Sequence, residues 1–271
     1  MKPAPFELHA CRSLPEAIAL LAAGDGMAKA AGGTQSLGPM LNLRLAQPAQ
    51  LVDVSRVEAL RGFALQGETL RIGAGVTHAR IEDGQLPEIT RGLLPAVAGG
   101  IAYRAVRNRG TLGGSLAHAD PAADWVSTMT LLDATLVLLG PVGERRLRAG
   151  AFFLGPFTTA LREDELLVAI EIRRFSPRAR WAYRKACRKP GEFAQAIAAV
   201  WTDSTHGSAR VVLGALGGMP HVIEGQGALE LLRTDAGLER ALDDAGLVEA
   251  YERQLHATML RRALADLDAS E

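Results

Sequence analysis

Two glycine segments carry most of the chemistry available to this chain. In the first, "AAGGTQSLGPMLNLRL", Ala31 closes a strand-like run and Gly32 and Gly33 follow at once, then Thr34, Gln35, Ser36 and Leu37. Glycines at such a point let successive backbone N–H groups face one concavity without side-chain obstruction, which is how a chain cradles a phosphate oxygen. A Gly-Gly-Thr alone reads first as an ordinary tight turn. A second segment of the same kind, "NRGTLGGSLAHADPAADW", holds Gly110, Gly113 and Gly114 with the hydroxyls of Thr111 and Ser115. It runs on into Asp120 and Asp124, ahead of a helical pattern. Carboxylates repel phosphate but accept hydrogen bonds from ribose or ribitol hydroxyls, so their place beside the loop favours a nucleotide over a bare anion. Both aspartates also suit the cap of the following helix.

Other chemistries fit less well. His118 with Asp120 and Asp124 does not have a metal-ligand spacing, and a loop interrupted by Pro121 separates them. Ser115 lacks the strand-to-helix elbow of a hydrolase nucleophile. Neither glycine segment has the G-x-G-x-x-G or Walker spacing, so the dinucleotide and P-loop fingerprints are both missing. A third segment, "YRKACRKPGEFAQAIAAV", offers Lys185, Arg188 and Lys189 before a glycine turn, then Phe193. A cation there offsets anionic charge and an aromatic lies against a planar ring, although basic residues at a strand end are commonly solvated.

Those residues need elements to hold them. Ser13, Pro15 and Glu16 read as a capped helix start, with Ile18, Leu20 and Leu21 as its apolar face and Gly24 as its stop. With strands at Met27 to Ala31 and at 50 to 55, this predicts a small β-α-β opening unit. From Leu60, "GFALQGETLRIGAG" reads as a hairpin. Helical periodicity returns at 88 to 98 and 122 to 133, and strand runs follow at "ATLVLLG", "RRLRAG" and "LLVAIEIRRF". "SPRAR" interrupts the pattern, which places a boundary near 177. Beyond it come three strand-like runs, "WAYRKA", "AQAIAAVWTD" and "ARVVLGALGG", and then helices. The last helix, near 247 to 268, places Tyr251, Leu255, Met259 and Ala263 at core spacing.

The bulk composition narrows the partners. With 30 basic and 30 acidic residues in 271, there is no electrostatic reason to expect nucleic acid or an anionic membrane. No apolar run is long enough to cross a bilayer, and the N-terminus does not read as a signal peptide, so the expected location is the cytoplasm. Two cysteines, Cys11 and Cys187, are too few to ligate an iron–sulfur cluster.

The segments "AGGTQSLGPMLNLRL", "NRGTLGGSLAHADPAAD" and "RKPGEFAQAIAAV", in this order and at these intervals, resemble the hallmark segments of the FAD-binding medium subunits of molybdenum hydroxylases, the xanthine dehydrogenase and aerobic carbon monoxide dehydrogenase class. The "MLRRAL" helix is similar as well, so the likeness covers nearly the whole chain. It implies an α+β fold of the PCMH type. An FAD-binding domain would span 1–176, with subdomains of about 1–56 and 57–176, and a C-terminal domain of a three-stranded sheet with helices would span 177–271.

By the same resemblance, residues 31–37 and the second glycine segment hold the diphosphate of non-covalently bound FAD. Ile101 and Leu167 are apolar contacts at its adenine end. Thr111, Gly113, Gly114, Ser115, His118, Asp120, Asp124 and Lys185 belong to the same site, and Phe193 lies near the flavin ring. The first motif departs from the carbon monoxide dehydrogenase pattern, because Thr34 and Gln35 both stand between Gly33 and Ser36. The implied partners are a small subunit with two 2Fe–2S clusters and a large molybdopterin subunit, assembled as a dimer of heterotrimers. The implied role is electron transfer from those clusters through FAD to an external acceptor, with no catalytic acid or base on this chain. A stand-alone flavoprotein oxidoreductase and a non-catalytic nucleotide-binding assembly module are the alternatives.

Overall fold

The N-terminal unit is built around a capped helix. Strand β1 (Glu7–Ala10) leads into α1 (Leu14–Ala23), where the Glu16 N–H donates to Ser13 Oγ at 3.4 Å and the Glu16 carboxylate reaches back to the Arg12 N–H at 2.9 Å. Ala17, Ile18 and Leu21 form its buried face and Gly24 ends it, as the pattern predicts. Strand β2 (Ala28–Ala31), helix α2 (Leu37–Asn42) and strand β3 (Gln50–Asp53) follow. The three strands make a parallel sheet in the order β1-β3-β2, which leaves β2 at an edge. The sequence pattern missed β1, whose residues are mostly exposed and lack the alternation of a half-buried strand. The computed structural model describes residues 2–225 and 227–269.

The hairpin read from "GFALQGETLRIGAG" is β4 (Phe63–Gln66) with β5 (Thr69–Gly73). Five short helices follow: α3 (His78–Glu82), α4 (Leu93–Gly99), α5 (Arg104–Arg107), α6 (Leu112–His118) and α7 (Asp124–Leu131). Then come β6 (Thr135–Gly140), β7 (Gly143–Arg148), α8 (Ala149–Phe152), the small pair β8 (Phe153–Gly155) and β9 (Thr158–Thr159), and β10 (Leu166–Arg173). An antiparallel sheet forms in the order β4-β5-β10-β6-β7. Its central strand β10 is the near-continuous apolar run "LLVAIEIR", buried over most of its length.

All eight residues of α7 are buried. Such a helix must satisfy its own polar groups, and Thr128 and Thr130 do so by donating to the Asp124 and Val126 carbonyls, each at 2.8 Å. One side of α7 meets a second antiparallel sheet, β11 (Ala179–Ala186), β12 (Ala196–Asp203), β13 (Ser208–Gly214) and β14 (His221–Glu224), in that order. The expected three strands thus gain a short edge strand that "GGMPHVIEG" disguised with Pro220 and flanking glycines. Along β12 the side chains alternate: Ile197 and Ala199 join the core that contains α7, whereas Ala196, Ala198 and Val200 face the C-terminal helices.

Those helices are α9 (Ala228–Leu232), α10 (Asp235–Asp244) and α11 (Ala250–Ala269). The core face of α11 is His256, Met259, Leu260, Ala263, Leu264 and Leu267. Tyr251 is 64% exposed and lies off that face, so the expected stripe is corrected at its first position. The helix begins at Ala250, so Tyr251 lies in its first turn, and the buried face starts a turn later at His256. No helix among the described residues is long and apolar enough to cross a membrane.

Candidate functional site

The first glycine segment leaves the edge strand β2 and enters α2 through an unusual backbone path. Thr34 sits at φ 59°, a left-handed position that costs a β-branched residue about 1–3 kcal/mol. Gln35 returns to negative φ, and Ser36 has helical backbone angles of −100° and −47°. Passing from left-handed to right-handed backbone turns consecutive N–H groups into one concavity. The N–H groups of residues 33–37 make no hydrogen bond among the described residues. Within the loop, the Gln35 side-chain amide donates to Gly33 O at 3.0 Å and the Gly38 N–H to Thr34 O at 2.8 Å. A run of free donors at a strained turn is the chemistry an oxyanion needs.

The second segment packs directly on the first. A Cβ added to Gly33 would stand 2.0 Å from Arg109 O and 2.9 Å from Gly110 Cα, so only glycine permits the approach. Here the N–H groups are already spent: Leu112 donates to Val76 O and Gly113 to Ala74 O, both at 2.9 Å, while Gly114 donates to Thr111 Oγ1 at 3.0 Å. Gly113 serves close packing, since a Cβ there would lie 2.4 Å from that of Ala74. The two segments thus divide the task, the first supplying N–H donors and the second hydroxyls. Thr111 Oγ1 caps α6 and lies 3.4 Å from the Cβ position of Gly32 and 2.7 Å from that of the exposed Gly114. Its proton, like the hydroxyl of half-buried Ser115, has no acceptor among the described residues.

The remaining predicted residues lie on α6, α7, β10 and β11 and on the loops after α4, α6 and β11. Asp124 is 6% exposed; its Oδ1 accepts from the Tyr183 hydroxyl at 2.8 Å and its Oδ2 from Lys185 Nζ at 3.0 Å. Lys185 also donates to Gly100 O at 2.9 Å, beside Ile101. Burial raises the Asp124 pKa, against the pull of Lys185 and Tyr183 toward the anion. Burial and the Asp124 charge hold the Tyr183 phenol well above its usual range. Asp124 is the first residue of α7 and Ala123 takes the cap position, while Asp120 Oδ1 accepts from the Ala122 N–H at 2.9 Å in the preceding turn. His118, near the end of α6, packs on Phe157 with ring centroids 5.2 Å apart, and burial lowers its pKa despite nearby Asp120. Leu167 is buried in β10, opposite Leu138. Phe193 is 61% exposed in the β11–β12 loop, where Gly191, at φ 86°, leaves room for Ala102 O, 2.6 Å from its Cβ position.

Four residues, Arg107, His78, Trp125 and Tyr183, escaped the sequence reading. Arg107 makes a two-pronged pair with Glu82 at 2.8 Å per contact and donates to Ile101 O and Ala102 O at 2.8 and 2.7 Å, which clamps the loop that carries Ile101. Trp125 donates to buried His78 at 3.0 Å, and the His78 N–H donates to Gly110 O at 2.9 Å. Contacts therefore run unbroken from Gly33 through Gly110, His78 and Trp125 to Asp124 and Lys185. Tyr183 was legible in principle, since it lies two residues before Lys185 on the same strand face.

A loop of free N–H groups, glycines that admit close approach and hydroxyls at the rim give this α+β protein a donor set of the kind a nucleotide diphosphate needs, without a Rossmann loop. FAD fits this donor set, because the two carboxylates that follow the second segment are occupied, Asp124 by Lys185 and Tyr183 and Asp120 by its own turn. Residues 4–174 match the family described as the FAD binding domain in molybdopterin dehydrogenase, and the chain belongs to that family. The carbon monoxide dehydrogenase medium chain of Hydrogenophaga pseudoflava is 41% identical over 200 residues, 74% of this chain and 70% of that one. Caffeine dehydrogenase subunit beta of Pseudomonas sp. (strain CBB1) is 37% identical over 232 residues, 83% of this chain and 78% of that one. A structure of carbon monoxide dehydrogenase from H. pseudoflava, in a form lacking the Mo-pyranopterin moiety of its cofactor, superposes with a TM-score of 0.89 at 35% identity over 99% of both chains. The cofactor of this chain is FAD, and the chain is an oxidoreductase subunit.

Proposed function

We propose that this chain is the flavin subunit of a cytoplasmic molybdenum hydroxylase, joined to a small iron–sulfur subunit and a large molybdopterin subunit in a dimer of heterotrimers. The relatives named as medium chain and subunit beta of dehydrogenases support a multi-subunit setting. Two cysteines in the chain are too few for an iron–sulfur cluster, which takes four ligands, and this supports a reading in which the clusters lie on a partner. The observation that carries the reading is the set of free N–H groups at 33–37, closed over by the Gly33–Gly110 contact.

When bound, FAD supplies a store for electrons between a donor cluster and an external acceptor. The chain's own residues bind and orient it. The N–H groups of 33–37 hold the diphosphate, and Thr111 and Ser115 donate from the rim beside Gly114. Ile101 and Leu167 give apolar surface at the adenine end, with His118 and Asp120 nearby. Lys185 and Asp124 form a paired polar floor whose charges cancel, and Phe193 presents its exposed ring to the flavin. No side chain is required to move a proton in a chemical step.

Purification from the native source tests the assignment. Copurification with a cysteine-rich small chain and a molybdenum-containing large chain is expected, with flavin reduced by substrate only in the complex. Substrate-dependent flavin reduction by the isolated chain would replace this reading with that of a stand-alone oxidoreductase.

A further inference from the structure

The short helix α5 buries none of its residues, yet backbone contacts fix the chain on both sides of it. Before it, Ala102 has left-handed backbone at φ 44°, and its carbonyl presses on Gly191 of the β11–β12 loop, where a Cβ would lie 2.6 Å from Ala102 O. After it, Arg109 O lies 2.0 Å from the Cβ position of Gly33. The segment 102–109 therefore bridges the β11–β12 loop and the loop of free N–H groups. Arg107, whose side chain is 12% exposed, ties it down through Glu82 and the carbonyls of Ile101 and Ala102.

What this pinned segment shows to water is aromatic and cationic. Tyr103 is 68% exposed beside Ala102, and Phe193 is 61% exposed two residues past Gly191. With successive Cα atoms about 3.8 Å apart, both aromatic residues leave the backbone within about 8 Å of the Ala102–Gly191 contact. Most cations here are neutralised: Arg104 by Asp83 at 2.6 Å, Arg107 by Glu82 at 2.8 Å and Arg188 by Glu192 at 3.4 Å. The exposed side chains of Arg109 and Lys189 have no partner among the described residues. In a chain with equal numbers of acidic and basic residues, they make a local positive excess. Exposed aromatics on a fixed backbone, with unpaired charge at the rim, have the composition of a protein interface.

We propose that this face, centred on Tyr103 and rimmed by Arg109 and Lys189, is where the small iron–sulfur subunit docks, through an apolar patch edged with its own carboxylates. The inference rests on the flavin-subunit reading above. Electron transfer weakens steeply with distance, so the donor sits against the flavin site, and segment 102–109 borders that site at Gly33 and, across Gly191, at the loop of Phe193. Aromatic surface held out in water is relieved fully only by a resident partner, which favours a permanent subunit over a passing acceptor. Two unpaired cations select carboxylates on that partner and repel a cationic one.

The test places a photo-crosslinking side chain in the full-length chain within the purified complex. On irradiation, Tyr103→benzoylphenylalanine is expected to join to the iron–sulfur subunit; a bond only to the large subunit or to a second copy of this chain, or no crosslink, overturns the proposal. Tyr103→Ala should keep wild-type flavin content and bind the purified iron–sulfur subunit about tenfold more weakly. Lys189→Glu should weaken the same binding at low salt and much less at high salt. Wild-type affinity in Tyr103→Ala overturns the assignment, as does a Lys189→Glu effect that salt leaves unchanged. A wild-type chain that joins no iron–sulfur subunit, alone or with the large subunit present, would instead overturn the flavin-subunit reading, so the two failures are distinct.

Discussion

The left-handed Thr34 is where the site stores its strain, and it explains the length of the loop. Two residues between Gly33 and Ser36 are enough for the backbone to turn through a left-handed position and recover, which leaves the N–H groups of 33–37 free. Neither the strain nor the freedom shows in residue types, because threonine is a poor advertisement for positive φ. Glycines were readable as permissive points, but their purposes differ: Gly33 and Gly113 allow close backbone approach, whereas Gly114 lies exposed with only Thr111 Oγ1 in range of an added Cβ. That difference makes Gly114 the clean residue to change. For Gly114→Leu, far-UV circular dichroism should be close to wild type while FAD occupancy falls below about a tenth, as the side chain covers the rim of the cradle. Full flavin occupancy in that variant would remove the rim from the site.

At the scale of elements, α7 and β11 are joined by a buried polar group that links two sheets through one helix. Lys185 and Tyr183 on β11 both serve Asp124 on α7, with the Lys185 and Asp124 side chains only 10% and 7% exposed. Removing one charge strands the other, so Lys185→Met should cost about 3 kcal/mol in urea unfolding, and the Asp124→Asn/Lys185→Met pair should cost less than the sum of its parts. Strict additivity would mean that the two side chains do not act as a unit. The strands themselves were plain in the sequence, as "LLVAIEIRR" and "AQAIAAVWTD" carry long apolar runs. What joins them was not, because a Tyr and Lys on one strand and an Asp 61 residues from that Lys are linked only by the packing of β11 against the rest of the fold. Exposed β1 and short β14 escaped for the opposite reason, since neither buries enough apolar surface to leave a periodic trace.

For the whole molecule, acid stability reports how far carboxylates have been drawn into the fold. Glu165 is buried, which alone would raise its pKa, but the Arg145 guanidinium at 2.7 Å and the Arg162 N–H at 2.9 Å bring it below its ordinary value. A group whose folded pKa is depressed contributes stability above its unfolded pKa and loses it as pH falls through the folded one. Glu165→Gln should therefore lower the melting temperature at neutral pH and flatten its fall between about pH 5 and pH 3. An acid limb as steep as that of the wild type would show that other carboxylates set it. Asp124, with its pKa raised by burial, works in the opposite sense: the folded state takes up its proton before the unfolded state does, which offsets part of that limb. The central claim is that the two glycine segments together seat FAD, and titration of the flavin-free, full-length chain with FAD tests it most directly. One FAD per chain, with quenched flavin fluorescence that Gly114→Leu abolishes, is the predicted result; no saturable binding by the wild-type chain, alone or in its reassembled complex, would contradict it.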